Sequence, residues 1–353
     1  MKKIRVLVVD DSAFMRKAIR EILESDPTIE VVGTARNGKE AIDKVSELKP
    51  DVVTLDINMP VMDGKEALAV IMEKSPVPVV IVSSLTTEEA TITMELLDMG
   101  AFDFVPKPSG TISLDIHKVA TQIIEKVKEA YRSGRAVVSK RPASRTLKTS
   151  FRPTKRGLAT YVVAIGISTG GPATLLDILQ DCQVDEDTAY LVVQHMPPQF
   201  TPSLAKRLSE YTPIEFIHAS HGQAVLGGYG YLAPGGWHME ITEEKKVRLF
   251  KDDNYIYYPS VDVLFESVAK VFCPHAIGVI LTGIGRDGAQ GLLKMKDRGC
   301  VTIAESQETA VVYGMPAAAK EIGAALEILP SYRIASAIMK YLRRLKNSGR
   351  ESL

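Results

Sequence analysis

Short runs of β-branched residues alternate with helical patterns throughout the first 131 residues of the chain. The helical segments carry apolar residues on one face, as Met15, Ile19 and Ile22 do after the first run. Five such units in series predict a parallel sheet that is covered by helices on both faces. The predicted strands are 4–9, 30–34, 51–55, 77–83 and 102–105.

A second α/β pattern starts at Tyr161 and continues to the end of the sequence. Its strand-like runs are followed by helical patterns, which predicts a second doubly wound domain with a parallel sheet. Residues 229–251 alternate more like antiparallel hairpins, and the last pattern, up to Leu345, is helical. The predicted strands of this part are 161–167, 189–194 and 276–282, with helices starting near 172, 203 and 287.

The two patterns are separated by a basic segment, 132–158, which carries nine Lys or Arg residues and no acid. It also contains Pro142 and Pro153 and has no apolar period, so we interpret it as a linker between domains 1–131 and 159–353. A nucleic-acid-binding arm is the alternative. The net charge of the chain is zero, and neither domain has a basic excess, so we expect no nucleic-acid partner.

Three cysteines, Cys182, Cys273 and Cys300, are far apart in the sequence. Their odd number and wide spacing predict free or buried thiols in a reducing compartment rather than disulfides. Asp10 and Asp11 end the first apolar run too early for a signal peptide. Since no apolar run reaches membrane-spanning length, we expect a cytoplasmic protein without direct membrane insertion.

Charged side chains follow three strands of the first predicted sheet. Asp10 and Asp11 come after the first strand, Asp56 after the third and Lys107 after the fifth. The carboxyl ends of parallel strands share one edge, so these groups converge there and predict a Mg²⁺ site. Asp56 is then the candidate phosphate acceptor, Lys107 pairs with the added charge, and Ser83 binds phosphoryl oxygens. The alternative is that these acids are solvated or cap helices.

These residues resemble two-component receiver domains. The motifs are Asp10-Asp11-Ser12, the segment from Asp56 to Pro60, Asp63-Gly64 and Lys107-Pro108. The resemblance covers residues 1 to about 125 and implies a (βα)5 flavodoxin-like fold. It also implies that Asp56 takes phosphate from a histidine kinase and that Asp10, Asp11 and Asp56 hold Mg²⁺. Ser83, Phe104 and Lys107 match the positions that respond to the phosphate.

A glycine-rich segment, Gly166–Pro172, lies between a strand pattern and a helix in the second domain. Such a turn exposes a serine at a sheet edge, which makes Ser168 a candidate nucleophile, although a phosphate-binding loop is the alternative. His195 ends a neighbouring strand pattern and is the candidate base. His218 and His221 form a possible metal pair, with capping or surface roles as the alternative. The remaining histidines, for which no role is inferred, are His117, His238 and His275.

Two aspartates, Asp287 and Asp262, are candidates for the acid that orients the imidazole. Asp287 follows a strand and a glycine turn, where it could also be a helix N-cap. The surrounding loop, Gly283–Gly288, could present backbone N–H groups to an oxyanion.

The second part of the chain resembles the catalytic domain of chemotaxis protein-glutamate methylesterases, the CheB family. The resemblance implies a Ser168–His195–Asp287 triad and an oxyanion hole that uses the Ile284 backbone N–H. Arg286 stands where the family often has asparagine, so the role of that side chain is open. The matching segments are Gly166–Pro172, Gln194–Pro197, Pro259–Phe265 and Leu281–Gly288.

This resemblance implies a phosphorylation-activated enzyme that hydrolyses glutamate γ-methyl esters on methyl-accepting chemotaxis receptors and deamidates receptor glutamines. A CheA-type histidine kinase would be the phosphodonor. Mg²⁺ would serve only the receiver domain, and the ester reaction would need no cofactor. Three rival functions are a DNA-binding regulator, a small-ester hydrolase and a kinase-binding adaptor with an idle esterase site.

Overall fold

A computed structural model of the chain describes residues 2–84, 86–107, 114–133, 157–252 and 254–350. These residues belong to two compact units, Met1–Ala143 and Ser144–Leu353. Most of the predicted linker lies outside the described residues, so the domain boundaries at 131 and 159 stay predictions. Within the described ranges, none of the helices combines the length and apolarity that crossing a bilayer requires.

The first unit contains a five-stranded parallel sheet with the strand order β2-β1-β3-β4-β5. The central strands are buried along their whole length because helices cover both faces, and this confirms the predicted fold. The strands are β1 Ile4–Val9, β2 Ile29–Ala35, β3 Val52–Asp56, β4 Val79–Ser83 and β5 Asp103–Pro106; the helices are α1 Ala13–Glu24, α2 Gly38–Leu48, α3 Gly64–Lys74, α4 Thr87–Asp98 and α5 Leu114–Arg132.

The second unit has a seven-stranded parallel sheet, ordered β14-β13-β12-β6-β7-β9-β8, and a separate antiparallel hairpin of β10 and β11. The strands are β6 Tyr161–Ile167, β7 Thr188–Gln194, β8 Glu215–His218, β9 Tyr229–Leu232, β10 His238–Ile241, β11 Val247–Phe250, β12 Ala276–Ile280, β13 Val301–Glu305 and β14 Glu327–Leu329; the helices are α6 Gly171–Leu179, α7 Thr201–Tyr211, α8 Val261–Val271, α9 Ala289–Asp297, α10 Met315–Glu321 and α11 Ser331–Arg350. The doubly wound architecture is as predicted.

The interpretation of 229–251 as hairpins is correct only for its second half. Strand β9 pairs in parallel with both β7 and β8, and so belongs to the main sheet. Tyr231 is fully buried there. A four-residue strand is too short for its alternation to show whether its partners are parallel or antiparallel.

The prediction of three free thiols is wrong for two of them, because Cys273 and Cys300 form a disulfide. The two cysteines are separated by 27 positions in the sequence, and the segment between them contains one strand and one helix, β12 and α9. Since β12 and β13 are neighbouring parallel strands, the residues that precede their amino ends lie side by side, 5.3 Å apart at Cα. Cys182 is free, and burial raises the pKa of its thiol to about 12.

Candidate functional site

The first unit brings the predicted acidic cluster together at the carboxyl edge of its sheet. One carboxylate oxygen from each of Asp10, Asp11 and Asp56 lies within 4.8 Å of the others. The Lys107 ammonium lies 2.7 Å from Asp56 and 3.4 Å from Asp10. Asp10 and Asp56 are fully buried, whereas Asp11 is exposed. The cluster therefore has two buried carboxylates, one solvent-facing carboxylate and one cation.

Burial of these carboxylates disfavours their charged forms. It raises the pKa of Asp56 to about 6 and also raises the pKa of Asp10. Burial opposes the charge of Lys107 too, but its hydrogen bond to Asp56 leaves its pKa above the ordinary value. The lysine thus stays protonated, and its single positive charge only partly neutralises the two carboxylates beside it.

The residues of this cluster fit a hard divalent cation. Asp56 Oδ2 is buried, and no hydrogen-bond partner for it exists among the described residues. A buried carboxylate oxygen without a partner is costly, and a cation with oxygen ligands removes that cost. Asp10, Asp11 and Asp56 are therefore the residues that would hold Mg²⁺.

Ser83 and Phe104 lie in the neighbouring strands β4 and β5, and both are buried. The Ser83 hydroxyl lies 3.1 Å from a Glu89 carboxylate oxygen and 3.1 Å from the Thr93 hydroxyl. Glu89 also accepts a hydrogen bond from the Asn58 side chain. Sequence reasoning missed Glu89, because a helical glutamate in a first turn looks like an ordinary dipole contact.

In the second unit, Ser168 follows the central strand β6 directly. Its backbone N–H donates to Thr282 after β12, and its carbonyl accepts from the Gln194 side chain at the end of β7. Helix α6 starts three residues later, at Gly171. The serine is therefore held between the carboxyl ends of three adjacent strands, as its strand-turn-helix pattern predicts.

His195 and Asp287 meet at the same edge of this sheet. His195 Nε2 lies 2.8 Å from Asp287 Oδ2, and the two side chains are only 10% and 7% exposed. A carboxylate accepts, so Nε2 carries the proton and Nδ1 is the basic nitrogen. Nδ1 is buried and has no hydrogen-bond partner within the described part of the chain.

Asp287 accepts four hydrogen bonds from the described residues. Besides His195, its donors are the Ser260 hydroxyl and the backbone N–H groups of Val261 and Asp262, at 2.7 to 3.1 Å. Burial alone would raise the pKa of Asp287, but these bonds, led by the one from His195, hold it below its ordinary value. The carboxylate thus stays ionised beside the imidazole.

The structure separates the two candidate acids. Asp262 accepts from Gly291 N–H rather than from His195, and burial raises its pKa to about 6. The alternative role of Asp287 as N-cap of its own helix is wrong, because Gly288 occupies that position in α9. Asp287 instead bonds the first-turn N–H groups of α8, whose helix dipole favours a negative charge.

The backbone N–H groups of Thr169 and Ile284, in the two loops that meet at Ser168, have no acceptor among the described residues. Ile284 was predicted as an oxyanion donor, whereas Thr169 was missed. Its signal was its position directly after the serine, which supplies such a donor in other serine hydrolases. Gly283 packs against the serine, because a Cβ at this position would lie 2.7 Å from Ser168 Cβ.

The side chains of the other sequence candidates bond residues outside the Ser168, His195 and Asp287 group. His218 bonds the Thr201 hydroxyl and His221 bonds the Leu249 backbone. No metal-binding group within the described ranges includes either histidine. The Arg286 side chain pairs with Glu321 on α10, and both are largely exposed.

A buried acid, Glu305, supports the loops around Ser168 and was missed by sequence reasoning. Its carboxylate accepts from Thr282 N–H and from the Thr309 hydroxyl, at 2.9 Å each. The Thr282 hydroxyl in turn donates to the Thr169 carbonyl. Burial raises the pKa of Glu305 to about 7. No motif marks it, since it ends an ordinary buried strand.

Glu305 predicts a pH dependence of stability. Its carboxyl pKa rises from about 4.5 in the unfolded chain to about 7 in the folded one, so the folded state binds more protons between these values. The free energy of unfolding should therefore fall as pH rises from 5 to 8, by at most about 3 kcal/mol. Glu305→Gln should remove this component. Urea unfolding measures the free energy of unfolding at each pH, with the fluorescence of Trp237, the only tryptophan of the sequence, as the signal.

Glu308→Gln is the matched control, because the only group among the described residues that bonds Glu308 is the exposed Tyr332 hydroxyl. It should leave the pH dependence as in the unmodified protein. If the free energy of unfolding changes equally with pH in the Glu305→Gln and unmodified proteins, the pH dependence does not come from Glu305.

Comparison with known sequences places both units in described families. Residues 6–117 match the family model "Response regulator receiver domain" and residues 163–338 match "CheB methylesterase". A protein from Caldanaerobacter subterraneus subsp. tengcongensis, named "Protein-glutamate methylesterase/protein-glutamine glutaminase", is 46% identical over 354 residues, covering 96% of each chain. A protein of the same name from Symbiobacterium thermophilum is 48% identical, covering 96% of this chain and 97% of its own.

The chain belongs to the protein-glutamate methylesterase/protein-glutamine glutaminase family. The likeness runs through the receiver and the CheB methylesterase regions alike, since the matched relatives cover nearly the whole sequence. Among solved structures, the chain is similar to the Thermotoga maritima CheB methylesterase catalytic domain, with 38% identity, a TM-score of 0.49 and coverage of 52% of this chain and all of that one.

Proposed function

We propose that this chain is a phosphorylation-activated protein-glutamate methylesterase that acts on methyl-accepting chemotaxis receptors. Its second unit would hydrolyse glutamate γ-methyl esters and also deamidate receptor glutamines. The observation that carries the proposal is the hydrogen bond between His195 Nε2 and Asp287, which leaves Nδ1 as a base at the strand edge that holds Ser168. Family membership supports the ester and amide substrates.

The proposed reaction has two stages. Ser168 Oγ attacks the ester carbonyl carbon while its proton passes to His195 Nδ1, and the backbone N–H groups of Ile284 and Thr169 stabilise the oxyanion. The intermediate collapses, and methanol leaves with the proton from Nδ1. Water then attacks the acyl-enzyme with His195 again as base, which frees the glutamate carboxylate. With glutamine, ammonia leaves in place of methanol.

The receiver unit would take a phosphoryl group from a CheA-type histidine kinase onto Asp56. When bound, Mg²⁺ neutralises the carboxylates of Asp10, Asp11 and Asp56 and the charge of the phosphoryl oxygens. Lys107, already 2.7 Å from Asp56, pairs with the added charge. Ser83 would exchange its contact with Glu89 for one with the phosphate, and Phe104 would move with it. We place these reactions in the cytoplasm, as the sequence predicts.

Replacing Asp56 with asparagine should abolish activation and leave basal esterase activity. The amide lacks the carboxylate oxygen that accepts phosphate, while the triad belongs to the other compact unit. We expect Mg²⁺-dependent phosphate on Asp56 of the unmodified protein by mass spectrometry, and none on the Asp56→Asn protein. Methanol release from methylated receptor should rise with a small phosphodonor only in the unmodified protein.

Asp43→Asn is the matched control, because Asp43 is an exposed aspartate on α2. It should be phosphorylated and activated as the unmodified protein is. Phosphate found on a serine or histidine of this chain instead of Asp56 would refute the receiver assignment.

A further inference from the structure

A tyrosine outside the proposed triad covers the catalytic imidazole. The rings of Tyr257 and His195 are parallel, with their centroids 4.5 Å apart. Tyr257 lies in the irregular segment between β11 and α8 and is partly buried. One edge of the imidazole is thus fixed by Asp287, and one face is fixed by an aromatic ring.

The same tyrosine reaches the loop that carries the proposed oxyanion donor. A Cβ built on Gly285 would lie 2.6 Å from the Tyr257 hydroxyl oxygen, and Gly285 has a φ of +85°. The loop therefore needs glycine here both for its backbone conformation and for this close approach. Since Ile284 precedes Gly285, the Tyr257 side chain spans the distance between His195 and the oxyanion loop.

The segment that holds Tyr257 is anchored from the interior. His238 is fully buried, and the rings of Tyr255 and Tyr258 pack on it at 4.7 and 4.6 Å. The backbone N–H of Ser260 donates to His238 Nδ1, and the Ser260 hydroxyl donates to Asp287. Tyr257 is thus fixed on the same support as the triad aspartate.

We propose that Tyr257 is a positioning residue for His195. The tyrosine ring keeps Nε2 of the imidazole on Asp287 and Nδ1 available to Ser168. This inference rests on the triad of the proposed function. A ring stacked on one face restricts rotation of the imidazole and shields that face from water. When His195 accepts the serine proton, the face of the tyrosine ring also attracts the resulting cation. The stacked aromatic ring carries this contribution.

Tyr257→Phe and Tyr257→Leu separate these parts in the full-length protein. The phenylalanine variant should hydrolyse a small ester with kcat and KM within about twofold of the unmodified values. The leucine variant should lose about tenfold in kcat, a factor that corresponds to about 1.4 kcal/mol, with KM unchanged. Labelling of Ser168 by a fluorophosphonate should slow by the same factor, because that reaction also needs the base.

Tyr211→Leu is the matched control, since Tyr211 ends α7 and does not contact His195 in the described structure. It should leave the kcat for the small ester and the rate of Ser168 labelling unchanged. If Trp237 fluorescence shows that the leucine variant is unfolded, Tyr257→Met provides an apolar side chain without a ring, and the same tenfold loss in kcat is expected.

Four results would overturn the inference. These are full kcat without the aromatic ring, equal losses in the phenylalanine and leucine variants, a loss confined to KM, and a tenfold loss in the Tyr211 control. Ser168→Ala distinguishes a failure of the triad: if that variant still labels and turns over, the proposed function and this inference are both wrong. If it is inactive while Tyr257→Leu is fully active, only this inference is wrong.

Discussion

Replacing Ser168 with alanine should lower ester hydrolysis by about four to six orders of magnitude, which is the loss that follows removal of a nucleophile from a serine triad. Alanine removes the attacking oxygen but keeps the backbone N–H that donates to Thr282 and the carbonyl that accepts from the Gln194 side chain. The protein should therefore remain folded. Steady-state methanol release from methylated receptor, together with thermal unfolding, measures both quantities.

The triad acts as a unit, so a second change should add little to the first. Ser168→Ala combined with His195→Ala should be no more than a few-fold slower than the slower single variant. Multiplication of the two single losses in the double variant would show that the residues act independently, and turnover by Ser168→Ala near the unmodified rate would end the assignment.

Asp287→Asn should lower turnover by about 10³- to 10⁴-fold, as in other triads that lose their carboxylate. Asn offers one oxygen where Asp287 accepts from four donors, so its amide N–H₂ would face a donor. Without a carboxylate, the imidazole proton is no longer held on Nε2, and Nδ1 is no longer available as the base. The kcat of small-ester hydrolysis measures this effect directly.

Asp262→Asn is the control for this change, because Asp262 is a partly buried aspartate in the first turn of α8, the turn whose N–H groups donate to Asp287. Its side chain accepts from Gly291 and makes no contact with His195 in the described structure. It should keep kcat within a few-fold of the unmodified protein. A larger loss in Asp262→Asn than in Asp287→Asn would reverse the choice between the two acids.

The sequence alone could not decide whether Asp262 or Asp287 orients the imidazole. Ser168 and His195 could be placed because each follows a buried strand of a parallel sheet, and the ends of such strands meet. Asp262 and Asp287 both lie at helix starts, so their sequence contexts are alike. Only the fold shows that α8 directs its first N–H groups at Asp287 and that Asp262 turns toward α9.

Two residues that no motif marks were missed for a related reason. Tyr257 lies in a loop without period, and Glu305 ends a strand whose other residues, apart from Thr302, are apolar. Neither has a spacing that links it to Ser168, and the contacts of both join segments that are distant in the sequence. The disulfide was missed because its cysteines lie at the starts of β12 and β13, whose pairing was not part of the predicted topology.

The strands of the first unit were predictable because their β-branched runs are buried on both faces of the sheet. The convergence of Asp10, Asp56 and Lys107 followed from the same topology. The contact between Ser83 and Glu89 did not, because it depends on how α4 packs beside β4.

The measurement that tests the central claim most directly is methanol release from a methylated receptor by the full-length protein, with and without a small phosphodonor and Mg²⁺. The account predicts measurable basal release that Ser168→Ala abolishes, and faster release with phosphodonor that Asp56→Asn abolishes. No methanol from the receptor while small esters are hydrolysed, or equal rates with and without phosphate on Asp56, would contradict it.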